Sequence, residues 1–414
     1  MQNIKILIGL LLFSTTLFAQ DVLTLDSAVA IALENNLNIK VAKSNAEVSV
    51  NNATRGNADL LPTVGLGGST NYSEYASNEV SSSGNINLSY TLFNGFGGRY
   101  TYKVLNIQKE QGVLNTRYQI ENVISSVISG FYDLSKNSDD LYVAKDNLTI
   151  SKERLKRNEA KYEYGNINKL EVLNAKVDFN RDSSSYLKAQ QYYDESAREL
   201  NVFLGRSADM KFVIVPDVSE FRVFDLSVLK EEALNNNANY LIKREQLKAD
   251  DFNEKKAKAS QLPSLKLNST YNYYENKVVG TNSNTQWAGG LTLSMNLFDG
   301  KKKKTTIANA KIQKQISFYE EEEQRLQLEK DLMNAYASYE YNLQVLSLEE
   351  DALDASKLNF EQSREYYHLG QISSTTYREA QLNYIEAQNK RSAARYEAKN
   401  SEINIKLLSG TLLK

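Results

Sequence analysis

The chain has 414 residues, with 49 Lys and Arg against 51 Asp and Glu, a net charge of −2, three prolines, one histidine and no cysteine. That balance gives no electrostatic basis for nucleic-acid binding, and the missing thiols exclude disulfides, thiolate metal sites, cysteine nucleophiles and an N-terminal lipid-bearing cysteine. So few helix breakers in so much helix-tolerant sequence predict very long helices.

Residues 1–19 read as a secretory signal peptide cut after Ala19: Lys5 precedes an apolar run from Ile6 to Phe18. Leu17 stands where a small residue is preferred, so an uncleaved anchor is the alternative. The run is shorter than the roughly 20 apolar residues that span a bilayer. No later stretch is long and apolar enough to be a membrane helix, so entry into a membrane must be by strands.

From Leu25 to about Asp59 the apolar spacing is helical, and Pro62 stops it. Strands follow at about 63–75 and 84–93, with a Ser/Asn-rich turn around Asn78 to Ser83. In the second strand Ile86, Leu88, Tyr90 and Leu92 alternate with Asn85, Asn87, Ser89 and Thr91, the period of a strand with one apolar face. A helix from about Gly98 to Gly165 comes next, on the order of 100 Å long at 1.5 Å per residue. A helix about half that length runs from Lys169 to Leu204. The segment 211–224, containing Phe212-Val213-Ile214-Val215 before Pro216, links this half to the next and is expected at the waist where short helices meet.

The chain is then written again. Ala32-Leu33-Glu34-Asn35-Asn36 recurs as Ala233-Leu234-Asn235-Asn236-Asn237 and Leu61-Pro62 as Leu262-Pro263, both displaced by 201 residues. Leu92-Phe93-Asn94-Gly95 returns as Leu297-Phe298-Asp299-Gly300 and Gly165-Asn166-Ile167 as Gly370-Gln371-Ile372, displaced by 205. The change of offset falls between Pro62 and Leu92, which marks a surface loop. The repeats are 20–210 and 225–414, the second with strands at about 264–276 and 286–297 and a turn around Gly280 to Thr285. Trp287, Leu291, Leu293, Met295 and Leu297 form its apolar face. Val127, Leu134, Leu141, Leu148, Leu155 and Tyr162 fall seven apart, as do Leu332, Tyr339, Leu346, Leu353, Phe360 and Tyr367. Such seams predict supercoiled helices packed side by side.

Strands in hydrocarbon must close into a barrel. One chain offers four, and the smallest membrane barrels have eight, so two, three or four copies are needed and the strand count does not choose among them. Catalysis has no foothold: there is no Gly-rich phosphate loop, no His-Glu-x-x-His, no Gly-x-Ser-x-Gly and no second histidine.

The tandem helix-hairpin-helix order, Leu92-Phe93-Asn94-Gly95 with Leu297-Phe298-Asp299-Gly300, and Tyr-x-x-Gly-x-Ile near each helical turn resemble the TolC-like outer-membrane efflux proteins over the whole mature chain. The resemblance implies a mainly α protein with a small β part, a homotrimer with a twelve-stranded barrel in the outer membrane and a twelve-helix tunnel in the periplasm. It also implies docking onto a periplasmic adaptor and an inner-membrane transporter of the resistance-nodulation-division (RND) or ATP-binding-cassette (ABC) type, contact with outer-membrane lipid, and no cofactor. By position it makes Glu171 and Tyr367 partners of a gate link beyond the turn glycines Gly165 and Gly370, and Glu379 one acid of the gate ring. Thr376 stands where a second ring acid is usual and Ile372 where an arginine link is usual.

Each of these residues also has a plain reading. An acid on a long helix is commonly a solvated charge, and Tyr367 continues the heptad seam. Lys301 to Lys304 suit either anionic lipid headgroups or simple solvation. His368, with no second imidazole, does not make a metal site. Tyrosines of the hairpins fit interface girdles or packing. A periplasmic coiled-coil adaptor or scaffold without a pore shares the long helices but lacks paired amphipathic hairpins. A passive porin is mostly strand.

Overall fold

The computed structural model describes residues 21–75, 77–216, 219–276 and 284–413. The signal segment 1–19 and residues 280–283 of the second expected turn lie outside them. In chain order the elements are β1 (Asp21–Leu23), α1 (Leu25–Asn35), α2 (Leu37–Asn52), β2 (Thr63–Tyr75), β3 (Ser77–Asn94), α3 (Gly97–Glu163) and α4 (Lys169–Phe203). Then come β4 (Phe212–Ile214), α5 (Leu226–Asn236), α6 (Ala238–Ala259), β5 (Ser264–Asn276), β6 (Asn284–Ser294), α7 (Lys302–His368) and α8 (Ser374–Ser409). The same succession of helix pair, hairpin, long helix and shorter helix thus occurs twice. Among the described residues no helix is long and apolar enough to cross a membrane.

The helix expected over Leu25 to Asp59 is two helices and ends at Asn52. Asn36 breaks it with ψ 127°. Its side-chain oxygen accepts the N–H groups of Asn38 and Ile39, and its amide donates to the Phe203 carbonyl at 2.8 Å. Asn237 does the same between α5 and α6, accepting from Tyr240 N–H and donating to the Leu408 carbonyl at 3.0 Å. An N-cap oxygen satisfies donors that a helix start leaves orphaned, so the chain bends here without proline or glycine. Each bend is also where α1 or α5 is tied to the end of the shorter returning helix.

That junction is the waist. Leu23, Ile39, Phe131, Leu134, Leu200, Leu204, Phe212 and Ile214 form one buried cluster, with β1 and β4 paired in parallel across it. Leu229, Tyr240, Leu328, Leu332, Tyr339 and Ile405 form its counterpart in the second half. The end of the linking segment is held there by Lys399, which is 2 % exposed and donates to Ser219 Oγ at 2.9 Å and the Glu220 carbonyl at 3.1 Å.

The hairpins pair in the order β2-β3-β5-β6, all antiparallel. Ser77 opens β3, so Asn78 to Ser83, expected as a turn, are strand, with Thr70 opposite Ser82. The register sets Leu66, Ile86, Tyr271 and Trp287 in one row and Tyr90, Leu267 and Leu291 in another on the same face. Asn85, Asn272 and Gln286 share the opposite face. Leu66 is 85 % and Trp287 72 % exposed, so the apolar face is unpartnered within one chain. A register shift between Thr91 and Phe93 takes Leu92 out of the expected alternation, and β6 ends before Met295 and Leu297.

Strand passes to helix at Leu-Phe-Asn/Asp-Gly. Asn94 Oδ1 accepts Gly98 N–H at 3.1 Å and Asp299 Oδ2 accepts Lys303 N–H at 3.0 Å. Gly95 touches the other repeat so closely that a Cβ there would lie 2.3 Å from the Ala259 carbonyl oxygen, whereas one on Gly300 would meet nothing within 4 Å.

Each long helix has 67 residues, about 100 Å. In α7 the heptad seam holds at Leu332, Tyr339, Leu346, Phe360 and Tyr367, which are buried, with Leu353 half-buried between them. In α3 it holds at Val127 and Leu134 and then drifts. Leu141, Leu148 and Leu155 are half-buried and Tyr162 is 45 % exposed, while Asn147, Ser151, Arg154 and Asn158 are buried in their place. A straight helix turns about 20° per heptad against a strict seven-residue repeat, and here the buried line moves by about one residue onto polar side chains.

Candidate functional site

Both helical hairpins turn at the end of the molecule remote from the strands. Gly165 and Gly370, each at φ +74°, close α3 and α7. Asn166 N–H returns to the Lys161 carbonyl and Gln371 N–H to that of Tyr366, both at 2.8 Å, the left-handed helix ending that glycine permits. Asn168 and Ser373 then cap α4 and α8 by accepting the N–H of Glu171 and of Thr376, each at 3.1 Å.

Tyr367 lies in an aromatic stack. Its ring is 4.9 Å from that of Tyr377 and nearly parallel to it, and Tyr377 stacks on Phe360, which stacks on Tyr384. Burial pushes the Tyr377 phenol above its ordinary value, with Arg364 and Arg154 opposing. The Tyr367 hydroxyl donates to Asn158 Oδ1 at 3.3 Å, and Asn158 Nδ2 donates to the main-chain carbonyl of Glu171, also at 3.3 Å. The two residues paired by resemblance are thus joined through Asn158, and by the backbone rather than the carboxylate of Glu171. Ile372 packs on the same aromatic cluster.

A buried polar link across the helices was not legible as a site in the sequence. Arg378 on α8, 6 % exposed, donates to Asp182 of α4 at 2.6 Å, to Asn147 of α3 at 3.3 Å and to Gln381 at 3.1 Å. Gln381 donates to Asn147 at 2.6 Å. Beside it, Arg154 of α3 pairs with Asp178 of α4, which also receives Arg181. Here α3, α4 and α8 are fastened by charge and amide where the waist is fastened by hydrocarbon. The signal available in sequence was the polar stripe Asn147, Ser151, Arg154, Asn158 at helical spacing, together with Arg378 and Gln381 three apart.

Glu171 and Glu379 line one open groove between α4 and α8, with Asp178, Arg181 and Arg378 along it. Glu379 and Thr376 are exposed, and the Thr376 hydroxyl is 2.9 Å from that of Ser373. Of the residues named from sequence, Glu171 and Glu379 therefore share a surface, Tyr367 lies behind it in the stack, and Thr376 serves the cap of α8.

A sheet with one apolar and one polar face, set on helices several times longer than a membrane is thick, is the build of a subunit of a membrane duct. The chain belongs to the outer membrane efflux protein family, whose profile matches residues 28–206 and 229–411. It is an outer-membrane efflux channel whose helices extend into the periplasm, and the family is one of channels rather than enzymes. In fold the chain is similar to the CmeC outer membrane channel of Campylobacter jejuni (TM-score 0.83, 18 % identity, covering 94 % of this chain and 86 % of that one). It is likewise similar to the outer membrane protein VceC of Vibrio cholerae (0.79, 14 %, 93 % and 96 %) and to the open state of the MtrE channel of Neisseria gonorrhoeae (0.76, 20 %, 94 % and 89 %). No curated protein sequence matches the chain significantly.

Proposed function

We propose that three copies close a barrel of twelve strands, four from each chain, above a common helical tunnel. The trimer passively conducts substrates delivered by an inner-membrane pump of the RND or ABC type through a periplasmic adaptor. Its constriction lies at the helical turns, where Glu171 and Glu379 face the groove between α4 and α8, Thr376 and the glycines Gly165 and Gly370 shape the turns, and Tyr367 braces them.

The observation that carries this reading is the internal junction of the two repeats. Strand β3 pairs with β5 inside the chain while β2 and β6 are left as open edges, and such edges cannot persist in hydrocarbon. The repeat offsets carry the register of β3 with β5 onto those edges. As Asn87 stands opposite Thr270, Thr292 of one copy then stands opposite Ser69 of the next.

Facing residues on paired strands lie within disulfide reach, and the native chain has no cysteine to interfere. Oxidising the Ser69→Cys/Thr292→Cys variant in outer-membrane vesicles is expected to give a ladder ending at the covalent trimer. Monomer alone, from protein present in that membrane, would overturn the closed ring.

A further inference from the structure

Close to the helical turns a second cavity, of about 130 Å³, opens between α3 and α7 and is floored by α8. Arg154 and Arg157 enter it from α3, Arg364 and His368 from α7, and Tyr367 and Tyr377 form its aromatic wall. The Arg154 side chain is 3 % exposed. One of its nitrogens is used by Asp178, yet Nε and Nη1 have no hydrogen-bond partner. A buried guanidinium with two idle nitrogens, three N–H donors in all, is a costly arrangement unless something accepts from them.

The surroundings add charge of the same sign. Arg157 Nη1 lies 2.5 Å from His368 Nδ1, an imidazole rather than a carboxylate. Among the described residues Arg364 has no carboxylate within ion-pair distance, and Glu153, the one acid lining the cavity, pairs with none of the three arginines. Guanidinium groups converging from two helices match the oxygens of phosphate and carboxylate groups, and the aromatic wall lowers the local dielectric in which such bonds form.

We propose that this cavity is a binding site for one compact oxyanion of the phosphate or carboxylate class, held by Arg154, Arg157 and Arg364. The bound anion ties α3 to α7 beside the Arg378 latch and so favours the fastened arrangement of the turns. That last consequence rests on the duct reading; the binding itself does not.

The test uses the full-length detergent-solubilised protein and inorganic phosphate, titrated calorimetrically at constant ionic strength in chloride. Saturable binding near one phosphate per chain is expected, with a rise in the thermal midpoint. The Arg157→Gln/Arg364→Gln variant changes only exposed positions and is expected to bind at least tenfold more weakly. The Lys301→Gln/Lys302→Gln variant, altered at the opposite end of α7, is expected to keep the affinity. No saturable binding, equal affinity in the arginine variant, or a tenfold loss in the lysine variant would each overturn the site. Because the readout is binding rather than conductance, failure of the duct reading leaves it intact, and its own failure leaves the duct reading intact.

Discussion

The two long helices have equal length and neighbours of the same kind, yet below the waist they are held differently. Helix α7 continues an apolar line through Leu346, Phe360 and Tyr367, while α3 exchanges its line for Asn147, Ser151, Arg154 and Asn158. Apolar contacts parted in water lose all their stabilisation. Polar groups parted in water recover hydrogen bonds from the solvent, so their net loss is small compared with their strength in place. Repetition of the fold therefore does not bring repetition of its fastening: below the waist α7 is held along an apolar line and α3 along a polar one.

Changes at the waist should separate most sharply from changes at the turns. Phe131→Ala, at a fully buried ring, is expected to cost about 3–5 kcal/mol and to lower the global denaturation midpoint; a variant unfolding like the parent would move the stabilising centre elsewhere. Asp182→Ala strands the buried Arg378 charge, a loss of about 3–5 kcal/mol by analogy with other broken buried pairs. It should appear as faster amide exchange in the first turns of α8 with the waist still protected. Asp182→Leu/Arg378→Met, which removes both charges, should exchange more slowly than the single variant. Exchange accelerated equally throughout α8 would deny that the latch is local.

Smaller effects refine the same contrast. Gly165→Ala meets open space and is expected to cost only about 1–2 kcal/mol for its left-handed backbone. Gly95→Ala drives a methyl into the Ala259 carbonyl and should cost more, as measured by thermal melting. Glu379→Ala is expected to leave stability within about 0.5 kcal/mol and to reduce cation preference in single-channel recordings, since rings of carboxylates select cations. Unchanged selectivity would assign Glu379 to the solvated surface.

Much of this fold is legible in one sequence because it depends on local pattern. The ends of α3 and α7 follow from Gly-Phe-Gly-Gly, Asp-Gly and the turn glycines, and the sheet faces follow from alternation. What escaped depends on a second strand or helix. Asn36 sits in an unbroken helical pattern, and it bends the chain because Phe203, 167 residues away, supplies an acceptor. The serines of β3 are strand because β2 and β5 supply the ladder on either side. Arg378 is a latch because Asp182 and Asn147 converge on it, and one-helix spacing shows neither neighbour. The resemblance placed Glu171 and Tyr367 near one another, but Asn158 mediates between them from α3, a neighbour that spacing along α4 or α7 does not show.

The open space beside Gly300 bears on how the proposed ring forms and comes apart. Its counterpart Gly95 is filled by Ala259 of the same chain, so that joint forms at an effective concentration fixed by covalent connection and is insensitive to dilution. In the proposed ring a joint at Gly300 is bimolecular, and its occupancy follows the amount of protein in the membrane. Under dilution or mild detergent the ring should therefore shed whole two-repeat subunits and never split one between its halves.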